Sequence, residues 1–176
     1  MSGDFAHALR LDQIRDGERL DLTADEAERG AIAQRLALPS LSRLEAHVVL
    51  TRTGEIIRAD GRLAAALEQS CVVTNEPVPA MIDEPFSLTF TPEPAAGRAD
   101  EEIELGSADC DTVFYDGARI DLGGALADTL ALALDPYPRS AGAEAALRDA
   151  GVLSEEQAGP FGALAGLKAK LSGNES

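Results

Sequence analysis

The residues able to do chemistry are few and badly spaced for it. Only two histidines, His7 and His47, are present, together with two cysteines, Cys71 and Cys110, and neither cysteine belongs to a C-x-x-C pair. A nucleophile needs a base within hydrogen-bond reach. His47 falls on the polar side of an alternating run, so it is expected to face solvent rather than to activate Cys71. Structural zinc calls for ligands at C-x-x-C or helical i, i+4 spacing, and none is found. Gly123-Gly124 precedes an apolar helical pattern without the Lys of a phosphate-binding loop and reads as a helix-start turn. Carboxylates are plentiful but unpaired by any motif. The residues therefore predict no catalytic site, no cofactor and no metal, and a hydrolase using clustered acids with Mg²⁺ stands only as a minor alternative. Cys71 is expected to be a small buried hydrophobe, with Thr74 hydrogen-bonding locally in the turn that follows.

Binding chemistry is better represented. Asp135-Pro136-Tyr137-Pro138-Arg139 is a stiff, extended stretch, because each proline fixes φ and drives the residue before it out of the helical region. Tyr and Arg are enriched at interface hot spots, and a rigid segment presents them at little ordering cost. The segment serves equally well as a helix stop with Arg139 paired to a carboxylate. Arg43, Arg52, Arg58 and Arg62 lie on two neighbouring alternating runs and would form a basic patch if all four converged. Against them stands the whole-chain charge: 31 Asp and Glu against 15 Lys and Arg give −16. A field of that sign repels phosphate backbones and anionic membranes, so neither DNA nor a membrane is an expected target. Seven of the acids, among them Glu101, Glu102, Glu104, Asp109 and Asp111, fall between residues 91 and 111 with Arg98 alone opposing them. That stretch is expected to be a mobile acidic loop, either a plain linker or a steering arm for a basic surface.

These residues must be positioned by elements whose patterns are legible. The 176 residues are 45% hydrophobic, enough for one core of ordinary size. No apolar run of signal-peptide or membrane-span length occurs, so a soluble cytoplasmic protein is expected. Residues 5–22 suggest one or two short strands. Thr23-Ala-Asp-Glu26 has the form of a capping box opening a helix that Pro39 ends. From Leu44 to Leu50 and again from Ile57 to Leu67, apolar residues alternate with polar ones, the mark of half-buried strands, and Gly61 suggests a bulge or bend. Phe86, Leu88 and Phe90 continue the alternation after a turn at Asn75-Glu76-Pro77. Three strands joined by short turns predict an antiparallel meander with one dry and one wet face. Val113-Phe114-Tyr115 suggests another short strand. Leu122, Leu126 and Leu130 recur at helical spacing behind Asp121 as N-cap, predicting a largely apolar central helix packed on the sheet. Short helices are expected over about 144–150 and from Pro160 to Lys170, making a helical C-terminal segment of about 143–171. The fold class is α+β: a β-meander packed by an N-terminal and a central helix, in a single domain spanning 1–176.

Several stretches together resemble the YceD family, the large ribosomal RNA subunit accumulation proteins. They are Cys71-Val-Val-Thr-Asn-Glu-Pro-Val-Pro79 after an alternating strand, Ile120-Asp-Leu122, Leu130-Ala-Leu-Ala-Leu-Asp-Pro-Tyr-Pro-Arg139, and Pro160-Phe161 with Leu164, Leu167 and Lys168. Their order and spacing match from about residue 5 to 170, and Leu-Asp-Pro-Tyr-Pro-Arg is the most specific. The resemblance implies a bacterial or organellar protein needed for accumulation of 23S ribosomal RNA, with no assigned catalysis. Many members carry C-x-x-C where this chain has Cys71-Val-Val-Thr74, a departure similar to the alphaproteobacterial form of the family. A protein this acidic would serve ribosomal RNA most naturally through a basic ribosomal protein or a precursor of the large subunit (pre-50S particle), with contact to rRNA indirect. Direct 23S rRNA binding through the four arginines is the alternative.

Overall fold

The computed structural model describes residues 5–93 and 111–152. Its centre is a five-stranded sheet in the order β2-β3-β4-β5-β6, formed by β2 (Glu18–Thr23), β3 (Ser40–Thr53), β4 (Ile56–Ser70), β5 (Pro77–Pro92) and β6 (Thr112–Tyr115). β3, β4 and β5 form the expected antiparallel meander, β2 adds to it antiparallel from across α1, and β6 joins β5 in parallel, so the sheet is mixed. A two-stranded sheet pairs β1 (Ala8–Arg10) with β7 (Arg119–Asp121). Three helices complete the described chain: α1 (Glu26–Arg35), α2 (Leu122–Ala133) and α3 (Ala143–Asp149).

Strict alternation creates the dry face. Leu44, Ala46, Val48 and Leu50 of β3 and Ile57, Ala59, Leu63 and Ala65 of β4 are buried, and Ile82, Phe86, Leu88 and Phe90 extend the same face onto β5. The Val, Leu, Ile and Phe side chains among them contribute about 1.5–3 kcal/mol each on burial. α2 closes part of this face with Leu122, Leu126 and Leu130, all fully buried. Its N-cap is Asp121, whose side chain accepts from the Gly124 amide at 2.9 Å. Gly123 is required for this docking, since any Cβ there would strike the Phe5 carbonyl.

Three boundaries differ from expectation. The capping box at α1 is Asp25 with Glu28, not Thr23 with Glu26: Asp25 Oδ1 accepts from the Glu28 amide, and Glu28 Oε2 accepts from the Asp25 amide, both at 2.9 Å. Thr23 is still paired with Glu45 in β2, which removes it from capping. Gly61 marks no bulge. Register runs through it unbroken, and the shift lies between Leu41 and Arg43. A side chain at Gly61 would collide with the His47 carbonyl and the Phe86 ring, so glycine admits close strand packing there. Finally, β5 is 16 residues long, beginning at Pro77 rather than near Phe86. The prolines at 77, 79 and 85 mislead, because proline argues against a central strand. In an unbroken register they share the parity of Thr89, whose amide points away from β4 to the Asp111 carbonyl. Their missing N–H groups therefore fall on the side of β5 that β6 leaves open, where proline costs no ladder bond and discourages edge pairing.

Candidate functional site

The wet face carries the arginines, and here register decides. Arg43 lies opposite Ala66, Arg62 opposite His47 and Arg58 opposite Thr51, so these three share the outer face. Arg52 lies opposite the buried Ile57 and belongs to the other face. Its guanidinium donates to the carbonyls of Gly54, at 3.0 Å, and Leu11. The four central arginines therefore do not form one patch. Each outer one also has a carboxylate at hand: Arg43–Glu45 at 3.0 Å, Arg58–Asp60 at 3.0 Å and Arg62–Asp83 at 2.7 Å. The hydrogen bond from Arg62 holds the Asp83 carboxyl below the usual range. His47 is exposed, as expected, and meets Asp21 at 2.6 Å. The outer face is an interleaved lattice of both signs rather than a basic surface.

A different cluster proves to be organised. After β4 the chain turns through residues 71–76, and the Asp135–Arg139 segment is fastened against that turn. Val72 donates its amide to the Pro138 carbonyl at 2.9 Å, and the buried Gln69 donates Nε2 to the Asp135 carbonyl at 2.8 Å. Cys71 is fully buried, and its Sγ accepts the amides of Ser140 at 3.2 Å and Thr74 at 3.4 Å. Burial pushes the thiol up, but the hydrogen bonds from Thr74 and Ser140 outweigh it and bring the pKa down to about 6. Cys71 is buried, as expected of a small hydrophobe, and its sulfur also serves as acceptor for two backbone amides. Thr74 does bond locally, as expected: its hydroxyl donates to Glu76 Oε2 at 2.9 Å, and Ser140 Oγ donates to the same oxygen at 2.7 Å. These two bonds, Ser140 first, hold the Glu76 carboxyl below its usual range. Sequence reasoning missed Ser140, Glu76 and Gln69. Only the Thr-Asn-Glu-Pro turn composition hinted at a polar knot.

Fixed in this way, the segment presents Tyr137 at 72% exposure, with Asp135, Pro136 and Arg139 also exposed and Pro138 buried as the anchor. Asp135 Oδ1 accepts the Tyr137 amide at 2.9 Å, which further sets the tyrosine's direction. Among the described residues Arg139 has no ion pair, unlike the helix-stop reading in which a carboxylate holds it. Asp111 is exposed beside β6, while Glu101, Glu102, Glu104 and Asp109 lie outside the described residues, as does the helix expected from Pro160. No three His, Cys, Asp or Glu side chains converge as metal ligands among the described residues, and no helix there is long and apolar enough to cross a membrane.

None of the curated proteins and none of the solved structures matches the chain. A family model does, over residues 59–168, a span that takes in most of β4, then β5, the Cys71 turn, α2, the Asp135–Arg139 segment and α3. The chain belongs to the YceD family, described as the large ribosomal RNA subunit accumulation proteins.

Proposed function

We propose that this protein is a non-enzymatic factor that supports accumulation of 23S ribosomal RNA and assembly of the large ribosomal subunit by binding a basic ribosomal protein or a pre-50S intermediate. The exposed Tyr137 and Arg139, held on a clamped and proline-stiffened segment, carry this reading. Preorganised aromatic and Arg anchors are the residue types on which interface energy concentrates. Charge supports the same view. The chain stands at −16, and its outer-face arginines are met by carboxylates, so a basic protein is attracted where a phosphate backbone is repelled. Asp111 and the acids at 101, 102, 104 and 109 would steer that partner toward the anchors.

The test is a pair of binding measurements across a salt series. Pure protein is expected to capture basic large-subunit proteins with an affinity that falls as salt rises, and to bind 23S fragments weakly at every salt concentration. Tight RNA binding with a steep salt slope would overturn the indirect route and restore direct rRNA binding.

A further inference from the structure

The two outer edges of the five-stranded sheet differ in how they are guarded. On β5, the prolines at 77, 79 and 85 remove N–H groups from the side that β6 leaves open. β2, at the other edge, has no proline, and its register with β3 runs unbroken from Glu18 to Thr23. Ala24 donates its amide to the Leu44 carbonyl at 3.0 Å in that same register, so the even-numbered amides of β2 face β3. Backbone N–H and C=O groups alternate sides along an antiparallel strand, and those of Arg19, Asp21 and Thr23 therefore point outward. No hydrogen bond to them is found among the described residues. An unpaired row of this kind is a template for another strand.

We propose that β2 pairs antiparallel with β2 of a second copy of this chain, about a two-fold axis at Leu20, and so joins two five-stranded sheets into one. In this register Arg19 lies opposite Asp21 of the second copy, twice over by symmetry, and both are hydrogen-bonded positions that use the outward amides and carbonyls. Centring the axis on Arg19 or on Asp21 would instead set like charges face to face. The side chains are ready for the pairing. Arg19 is exposed and has no ion pair among the described residues, and exposed Asp21 meets His47 through Oδ1, which leaves Oδ2 for a guanidinium. On the inner face Leu20, half-buried against the core, meets Leu20 of the second copy at a non-hydrogen-bonded position, where side chains stand closest, so apolar packing continues across the seam. At physiological salt, fields are screened beyond about 8 Å, and the charges at the seam outweigh the net −16 of each copy. A six-residue edge is a small seam, so the dimer is reversible rather than obligate.

Sedimentation equilibrium of the full chain at physiological salt is expected to show a monomer–dimer equilibrium. Arg19→Asp and Asp21→Arg, each alone, set like charges across the seam and should weaken self-association by about tenfold or more. An equal mixture of the two variant chains should nevertheless associate as strongly as the unmutated protein, because both cross-strand pairs are then opposite in sign. Asp21→Pro removes no bond to β3, since that amide points outward, and should leave a monomer with an unchanged circular dichroism spectrum. A chain that stays monomeric up to millimolar concentration would overturn the proposal, as would a mixture that associates no better than either variant alone. A dimer indifferent to Asp21→Pro would overturn it too, by assigning self-association to another surface.

Discussion

The outer-face arginines and the Cys71 turn invite comparison, because both are polar clusters at the sheet and only one of them is built to hold something in place. Arg43, Arg58 and Arg62 are each bonded to a carboxylate of their own or the adjacent strand, in pairs that stay wet. Around Cys71, by contrast, a buried sulfur, two hydroxyls and one carboxylate share their bonds across 69 residues of chain. Exposed ion pairs contribute little because water competes for both partners, whereas a buried acceptor with two amide donors cannot be replaced by water. The first cluster tunes the field of the surface. The second fixes the direction of Tyr137.

The largest expected effect tests what the clamp is for. Tyr137→Ala should weaken capture of the basic partner by about 30-fold, the scale of a hot-spot truncation, while the melting temperature stays unchanged. A binding curve indistinguishable from that of the unmutated chain would leave the clamp without a functional output. Next comes the clamp itself. Cys71→Ala strips the Ser140 and Thr74 amides of their acceptor and should lower the melting temperature by roughly 4–8 °C. If it melts normally, the contrast between the two clusters is broken.

The pH dependence follows from the direction of each shift. With its pKa depressed to about 6, Cys71 adds stability that is fully present above the ordinary thiol value of ~8.5 and is lost as pH falls through 6. Glu76, also depressed, adds stability that is lost only at lower pH, below the ordinary carboxylate value of ~4.3. Thermal melts of the unmutated chain should therefore rise between pH 6 and about 8.5, and those of Cys71→Ala should stay flat over that range. Smallest of all, Arg58→Ala combined with Arg62→Ala should shift the melting temperature by less than about 2 °C. A larger loss would mean that the outer lattice is structural after all.

Legibility in the sequence followed the range of the interaction. The alternation of Leu44–Leu50 and Ile57–Leu67, the N-cap at Asp121 and the apolar side of α2 were all readable, since each depends on neighbours within a few positions. The capping box slipped by two residues because β2 pairing claims Thr23, a tertiary demand that a local motif does not record. Strand β5 was underestimated because the side of the ladder on which a proline falls depends on which strand lies beyond it. Within the candidate site, the Asp135–Arg139 segment was legible from its prolines. What anchors it was not, because Cys71 and Ser140 meet only through the path of the chain between them.

By itself, then, the sequence determined the α+β class, the dry and wet sides of each long strand, the excess of negative charge and the stiff Tyr137 segment, because periodicity, proline geometry and net charge are properties of the covalent chain. Tertiary structure alone decided that Arg52 leaves the face of the other arginines, that β6 joins in parallel, and that a cysteine, a threonine, a glutamate and a serine close into one clamp. Those outcomes rest on strand register and on contacts between distant segments, and a one-residue change of register would reverse which side chains meet.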